Sequence, residues 1–429
     1  MRLPPAILAN AEEVLREILR FAAPADTTLS RYFKDHPRLG GRERGAIAES
    51  VYNVLRNKNF YTDFSEQGGG ATMRRLTLLG MADAVGLESL GGVSEEEAEW
   101  VKRIMGIDRK LMHKSSRSNM PKWLFDKLVA QMGEEETLAL ADGMNRPAPL
   151  DLRVNTLKAN RDDVIAKLAE APIKAEPTPF APLGLRILTK PQLQNLPLFK
   201  EGHIEVQDEG SQILSALVAA KRGEMVVDFC AGAGGKTLAL GATMRNTGRL
   251  YAFDVSEKRL TKLKPRLARS GLSNVHPVVI AHERDAKIKR LAGKIDRVLV
   301  DAPCSGLGTL RRNPDVKWRQ KPDAIAELQV KQAAILDGAA RLVKGGGRLV
   351  YATCSVLDDE NDFIARQFLE THPDFELIPM SKALAEQKIG LEMGDYLKLL
   401  PHKHQTDGFF AAVFERKPMP KKAQEADEE

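Results

Sequence analysis

The sequence predicts a doubly wound α/β domain preceded by an all-helical domain and a small α/β segment. Three observations carry this expectation. From Ser211 onward, short apolar runs alternate with amphipathic stretches, the rhythm of a parallel sheet with helices on both faces. Residues 6–145 instead space their apolar side chains at helical intervals. Between the two, the proline-rich Asn145-Arg-Pro-Ala-Pro149 marks a boundary, and a short alternating stretch follows it. A chain of 429 residues is long enough for two or three domains with their own cores.

In chain order, Ala6 to Ala22 places Ile7, Val14, Leu15, Ile18 and Leu19 on one helical face. Gly41 to Asn57 does the same with Ile47, Val51, Val54 and Leu55, and carries Arg42, Arg44 and Arg56 on its other face. Pro121 to Val129 opens another helix, with proline in the first turn. Leu150–Val154 and Gly184–Leu188 read as strands around a helix over Arg161–Ala169, and Phe199–Gly210 reads as a connector. Strands are then expected at Met225–Phe229, Arg249–Val255, Pro277–Ile280, Arg297–Val300 and Gly347–Ala352, and late ones at Phe375–Pro379 and Phe409–Glu415. The helices between them are Lys236–Met244, Ser256–Ser270 and Asp323–Val343. The expected domains are therefore 1–145, 147–208 and 209–416, with 417–429 a disordered tail of Pro, Lys and Glu.

The formal net charge of +6 and a pI near 9.0 favour an anionic partner, for which nucleic acid is the usual candidate. Cys230, Cys304 and Cys354 form no Cys-x-x-Cys pair, which argues against a zinc ribbon or a redox dithiol, and no metal is expected. So sparse and odd a count fits a reducing cytoplasm. Met1-Arg-Leu-Pro-Pro5 lacks the apolar core of a signal peptide, and no stretch approaches the roughly 18 apolar residues of a membrane span.

The first α/β strand ends in Asp228-Phe-Cys-Ala-Gly-Ala-Gly-Gly-Lys-Thr237, a glycine-rich turn that lets backbone approach a ligand closely. A phosphate-binding P-loop would need glycine where Cys230 stands. A dinucleotide fingerprint would need its third glycine where Thr237 stands. S-adenosylmethionine has no pyrophosphate and needs only a close turn under its amino acid and ribose. Asp254, at the end of the second strand, suits ribose hydroxyls of any adenosine cofactor. Asp285, after the third strand, is either a partner for an adenine amino group or a surface acid.

The fourth strand runs into Asp301-Ala-Pro-Cys-Ser-Gly-Leu-Gly-Thr309 and then a cationic stretch, Arg311, Arg312, Lys317 and Arg319 around Trp318. The fifth ends in Tyr351-Ala-Thr-Cys-Ser355. In a doubly wound sheet these two strands are neighbours, roughly 4.8 Å apart, so Cys304 and Cys354 are expected at one edge. Free cysteine is often a small buried hydrophobe, but two at adjacent strand ends, outside the apolar runs, point to reactivity. One chemistry uses all these parts. A thiolate adds to carbon 6 of a pyrimidine, carbon 5 becomes nucleophilic and takes a methyl group, and a carboxylate stabilises the charge developing on the ring.

These stretches, with Arg311-Arg-Asn-Pro-Asp315 and Thr353-Cys-Ser355, resemble the signature motifs of the RsmB/Sun-type RNA cytosine-C5 methyltransferases. Gln207-Asp-Glu-Gly-Ser-Gln212 resembles the segment that precedes their catalytic domain, and the similarity spans about residues 147–416. The resemblance implies a Rossmann-like catalytic domain with Cys354 as nucleophile, Cys304 aiding product release and Asp301 contacting the cytosine. It implies S-adenosylmethionine bound by Cys230, Ala231, Gly232, Ala233, Gly234, Gly235, Lys236, Asp254, Asp285 and Asp301. The family's first motif usually reads Cys-Ala-Ala-Pro-Gly-Gly-Lys, whereas Gly232 and Ala233 replace its second alanine and its proline here. More weakly, Leu39-Gly-Gly-Arg-Glu-Arg44 and Val51-Tyr-Asn-Val-Leu-Arg56 resemble a NusB-like RNA-binding domain. The implied activity is methylation of structured RNA, ribosomal first and transfer RNA second, by a cytoplasmic monomer. A catalytically idle RNA-binding factor is the alternative of a different class, and the retained thiols and Asp301 weigh against it. A DNA methylase using Pro303-Cys304 is a minor reading, disfavoured by Thr353-Cys-Ser355.

Overall fold

The computed structural model describes residues 2–189 and 191–418. It divides into two units, of which the first contains residues 1–148, 306–322 and 401–405. Helices Pro5–Ile18, Ala25–Asp35, Gly41–Arg56, Thr72–Val85 and Glu95–Met105 share one core around Val14, Ile47, Val51, Val54, Leu79 and Ile104. Their apolar residues recur at helical spacing, so each buries one stripe. Gly80 permits close approach of helices Gly41–Arg56 and Thr72–Val85: a Cβ there would meet the Ser50 carbonyl oxygen at 2.6 Å. Helices Lys122–Met132 and Glu134–Met144 bury Leu124, Leu128 and Leu140. His402, from the late segment, packs on Gly143 and meets Glu136 through Nε2 at 2.9 Å.

The cationic stretch 311–319 is in large part buried, and the arginine face of Gly41–Asn57 does not leave Arg56 exposed: Arg56, Arg311 and Lys317 are all buried, Lys317 to 1 % exposure. The segment caps helices of its own unit. Lys317 Nζ donates to the Arg56 carbonyl at 3.1 Å and to Asn145 Oδ1 at 2.8 Å, and Trp318 Nε1 donates to the Leu55 carbonyl at 2.8 Å. The Leu55 and Arg56 carbonyls are among the orphan acceptors at the end of helix Gly41–Arg56, which these donors satisfy. Asp315 does the opposite job: its Oδ2 accepts the Ala25 N–H at 3.2 Å, at the start of helix Ala25–Asp35. Arg44, expected on the same exposed face, donates to the Leu39 carbonyl at 2.8 Å.

The second unit contains residues 149–305 and 323–400 and continues from residue 406. It holds two sheets. The smaller is antiparallel, in the order β2-β3-β1-β4, from β1 (Leu150–Val154), β2 (Ala175–Pro177), β3 (Gly184–Ile187) and β4 (Ile204–Val206). Strand β4 falls inside the expected connector. It is too short to show alternation, and Glu205 in its middle is there for Arg266 and Arg269, which both pair with it. The larger sheet comprises β5 (Met225–Asp228), β6 (Arg249–Asp254), β7 (Val275–Val279), β8 (Ile295–Asp301), β9 (Val343–Thr353), β10 (Phe375–Leu377), β11 (Leu397–Leu399) and β12 (Phe409–Arg416). Its order is β10-β12-β9-β8-β5-β6-β7, with β11 also paired to β12.

Strands β5 to β9 are mutually parallel, and β12 runs antiparallel to β9. The Rossmann-like sheet and the helical first unit are thus as expected, and β8 and β9 are neighbours. The chain reverses its direction of growth at β5, which lies between β6 and β8. Ligands of open α/β sheets bind at the carboxyl ends of strands beside such a switch point. Most of the expected tail, from residue 419, lies outside the described residues.

Burial, and secondarily Arg56, pushes the Lys317 ammonium well below its ordinary 10.5. The unfolded chain binds that proton up to its ordinary value while the folded chain has released it. Wild-type stability should therefore rise with pH between the two values, by up to about 1.4 kcal/mol per pH unit. Lys317→Met should lack this rise, so urea titrations across alkaline pH should show wild type gaining on the variant. Parallel pH profiles would sink this account of Lys317.

Candidate active site

The turn after β5 is built for close approach. Phe229 N–H donates to the Leu299 carbonyl, Ala231 N–H to the Phe253 carbonyl and Gly234 N–H to the Ala231 carbonyl, each at 2.8 Å. Gly232 and Gly234 have φ of +56° and +86°. Such backbone favours glycine, and a Cβ on Gly234 would also collide with Leu263. A Cβ on Gly232 would meet nothing within 4 Å, so this side of the turn is open. Gly232 is one of the two departures from the family motif, and it relieves a strain that alanine would carry there.

The rear of the turn is braced by two arginines that the sequence did not single out. Arg153, from β1, donates to the Gly235 carbonyl at 2.9 Å and to Gln207 Oε1. Burial pushes its guanidinium down to about 10, with Glu205 opposing. Arg266 donates to the Ala233 carbonyl at 2.7 Å. The Gln207–Gln212 segment joins this bracing, since Gln212 Nε2 donates to the Leu152 carbonyl at 3.2 Å.

Three acids line the same edge. Asp254, buried at the end of β6, accepts the Gly232 N–H at 2.9 Å, the Ser256 N–H at 2.7 Å and Arg259 Nη1 at 3.3 Å. Asp285, beyond β7, accepts the Ala281 N–H at 2.7 Å and the Lys287 N–H at 2.8 Å, and these backbone bonds hold its carboxyl below the usual range. Asp228, at the end of β5, is buried and accepts Thr237 Oγ1 at 2.6 Å on Oδ2, while Oδ1 has no hydrogen-bond partner among the described residues. Burial pushes the Asp228 carboxyl up to about 7, against the Thr237 hydrogen bond.

Asp301 ends β8 opposite Ala352 of β9, and its Oδ2 lies 2.7 Å from Lys236 Nζ. Burial works against the Lys236 charge, but the Asp301 carboxylate outweighs it and raises the ammonium above its ordinary value. The lysine of the glycine turn and the acid of the β8 loop thus form one unit. Cys304 and Cys354 follow these strands, and their sulfurs are 3.3 Å apart. Cys230 differs: burial, then Asp228 and the neighbouring acids, pushes its thiol well up, so it stays protonated. The sequence also left unmarked Glu360, which lies in an acidic run and bridges Ser305 and Ser355.

The arrangement offers an open glycine turn, the Asp254 carboxylate at the end of β6, and a buried Asp228 oxygen without a hydrogen-bond partner among the described residues. These features fit S-adenosylmethionine. Among the described residues no group of three His, Cys, Asp or Glu side chains could hold a metal ion, and no helix is long and apolar enough to cross a membrane. A thiol pair beside a lysine-paired carboxylate is suited to covalent addition at an electron-poor ring.

A family model described as 16S rRNA methyltransferase RsmB/F matches residues 215–415, and one for the ferredoxin-like domain of RsmF/B-like methyltransferases matches residues 120–194. The chain is 32% identical over 435 residues to a probable ribosomal RNA small subunit methyltransferase B of Synechocystis, covering 93% of this chain and 97% of that protein. It is 33% identical to the Bacillus subtilis protein described in the same words, over 75% of this chain and 72% of that one. A crystal structure of a methyltransferase homologue from Pyrococcus horikoshii superposes with a TM-score of 0.62 at 31% identity, over 72% of this chain and all of that one.

The raised Asp228 value has a thermodynamic consequence. Folding favours the protonated acid, so its contribution is complete below the unfolded value of 3.8 and is lost as pH rises through about 7. In the cofactor-free protein, Asp228→Asn should remove that loss. The variant should gain on wild type by up to about 1.4 kcal/mol per pH unit across this window. Chemical denaturation at a series of pH values measures the gap, and a pH-independent gap would contradict the assignment.

Proposed function

The chain belongs to the RsmB/F family of RNA methyltransferases, and from that premise we propose that it methylates carbon 5 of a cytosine in small-subunit ribosomal RNA through a covalent adduct on Cys354. The observation that carries the proposal is the 3.3 Å approach of the Cys304 and Cys354 sulfurs, on loops that leave neighbouring strands beside the Asp301–Lys236 pair. S-adenosylmethionine, the methyl donor, supplies an electrophilic methyl group. The residues proposed to hold it are Cys230 to Lys236, Asp254, whose carboxylate would accept hydrogen bonds from ribose hydroxyls, Asp285, whose carboxylate would accept one from an adenine amino group, and Asp301.

In this mechanism the Cys354 thiolate adds to carbon 6 of the cytosine, and the ring electrons move to carbon 5, which takes the methyl group. Asp301 faces the amidine edge of the base, where charge develops, and Lys236 keeps that carboxylate in place. A base then takes the proton from carbon 5, its C–H electrons restore the ring double bond, and the carbon–sulfur bond breaks with its electron pair returning to Cys354 as thiolate. Cys304 stands beside the departing sulfur and assists that step, so one thiol makes the bond and the other helps to break it. The relatives' names point to ribosomal RNA of the small subunit as substrate. The enzyme is proposed to act as a cytoplasmic monomer.

Two substitutions test the division of labour. Cys354→Ala should reduce methyl transfer by at least about a thousand-fold while leaving S-adenosylmethionine affinity unchanged by calorimetry. Near wild-type turnover in that variant would remove Cys354 as nucleophile. Cys304→Ala should accumulate RNA attached through Cys354, visible as a nuclease-sensitive shifted band on a denaturing gel. Normal turnover with no such band would remove Cys304 from the mechanism. Bisulfite sequencing of small-subunit RNA from a deletion strain tests the substrate, and an unchanged cytosine pattern would reject it.

A further inference from the structure

The two loops that carry the thiols extend past the paired ends of their strands, where Asp301 opposite Ala352 closes the β8–β9 ladder. The sheet alone therefore does not set the distance between the sulfurs. One side chain touches both loops. Glu360 is 0 % exposed. Its Oε1 accepts the Ser305 N–H at 2.8 Å and Gln332 Nε2 at 3.0 Å. Its Oε2 accepts the hydroxyls of Ser305 and Ser355, both at 2.5 Å. Each serine immediately follows one of the thiols. Gln332 also donates to the Pro303 carbonyl at 3.1 Å, on the other side of Cys304.

Glu360 is itself fixed. Tyr351 Oη donates to its carbonyl at 2.6 Å. The next residue, Asn361, accepts Thr353 Oγ1 at 2.6 Å and donates to the Ser355 carbonyl at 3.1 Å, bracketing Cys354. An ionised carboxylate is acceptor-only and can serve several converging donors at once, which a hydroxyl or amide does less completely. An apolar side chain would leave buried donors unsatisfied on both loops.

We propose that Glu360 is a positioning residue that clamps the Cys304 and Cys354 loops together and so sets the separation of the two thiols. Its importance for turnover rests on the covalent mechanism proposed above, but the clamp itself can be read without RNA. Diamide, a diazene oxidant, takes two electrons and two protons from a thiol pair, forming one S–S bond and becoming a hydrazine. The rate at which Cys304 and Cys354 become linked reports how often their sulfurs meet.

The test uses the full chain with Glu360→Ala, Glu360→Gln and the double variant Ser305→Ala/Ser355→Ala. Peptide mass mapping follows the Cys304–Cys354 link, and methyl transfer to small-subunit RNA is assayed alongside. In Glu360→Ala the linking rate should fall at least about five-fold and kcat about a hundred-fold, since reacting groups misplaced by about 1 Å lose that much. Cofactor affinity and KM for RNA should stay within about two-fold of wild type. Glu360→Gln keeps the shape and most of the bonds, because the serine hydroxyls can turn to accept, and should recover both rates to within about three-fold. Should Glu360→Ala fail to fold, the double serine variant replaces it, with slower linking and lower kcat expected. Wild-type linking and turnover in the folded variants would overturn the proposal. So would a fall in kcat matched by an equal fall in cofactor affinity, which a merely structural role would produce. If Cys354→Ala remains active, the covalent mechanism fails, while slowed linking in Glu360→Ala still supports the clamp.

Discussion

The parallel pairing of β8 with β9, with Asp301 opposite Ala352, is the constraint on which the candidate site depends. It places two chain segments about fifty residues apart side by side at one sheet edge, and both segments carry a thiol just past that edge. The pairing of β5 with β8 brings the glycine turn to the same edge, and Lys236 then reaches Asp301. A slip of one residue in either ladder would turn every side chain of a strand to the opposite face. The Lys236–Asp301 pair and the thiol pair thus both follow from backbone register, which is fixed by strands buried on both sides.

Around this edge the protein holds polar groups in apolar surroundings and satisfies most of them with backbone. Arg153 and Arg266 meet carbonyls of the glycine turn, Asp254 meets two of its own neighbours' N–H groups, and Glu360 meets Ser305. Such bonds fix loop geometry without side-chain entropy on the partner, so they suit a site where small displacements matter. Satisfaction is incomplete at Asp228, one of whose oxygens has no hydrogen-bond partner among the described residues, and burial raises its proton affinity.

The strand–helix rhythm and the glycine turn were legible in the sequence because buried parallel strands are near-continuous apolar runs with sharp ends. The proximity of Cys304 and Cys354 followed from topology alone. What was not legible came from partners distant in the chain. Arg56, Arg311 and Lys317 look like surface cations in any local window, and only carbonyls distant in the chain, those of Arg311, Pro147 and Arg56 in turn, make their burial sensible. Strand β4 offers three residues, too few for a period. Glu360 sits in Asp358-Asp-Glu-Asn361, which reads as a solvated acidic turn, and nothing nearby in sequence announces the serines that face it.

The helical unit draws on residues 306–322 and 401–405 as well as 1–148. Asp315, Lys317 and Trp318 supply caps to helices written near the beginning of the chain. On a translating ribosome those helices emerge first, yet the side chains that finish them come only after the whole first half of the catalytic sheet has been made. At elongation rates of roughly 5–20 residues per second, the wait lasts on the order of fifteen to sixty seconds. During that interval the nascent helices carry uncapped ends and an unfilled place for the Trp318 indole. The order of synthesis therefore makes the amino-terminal unit the first to appear and one of the last to be completed, and a natural client for whatever shelters apolar surface on emerging chains.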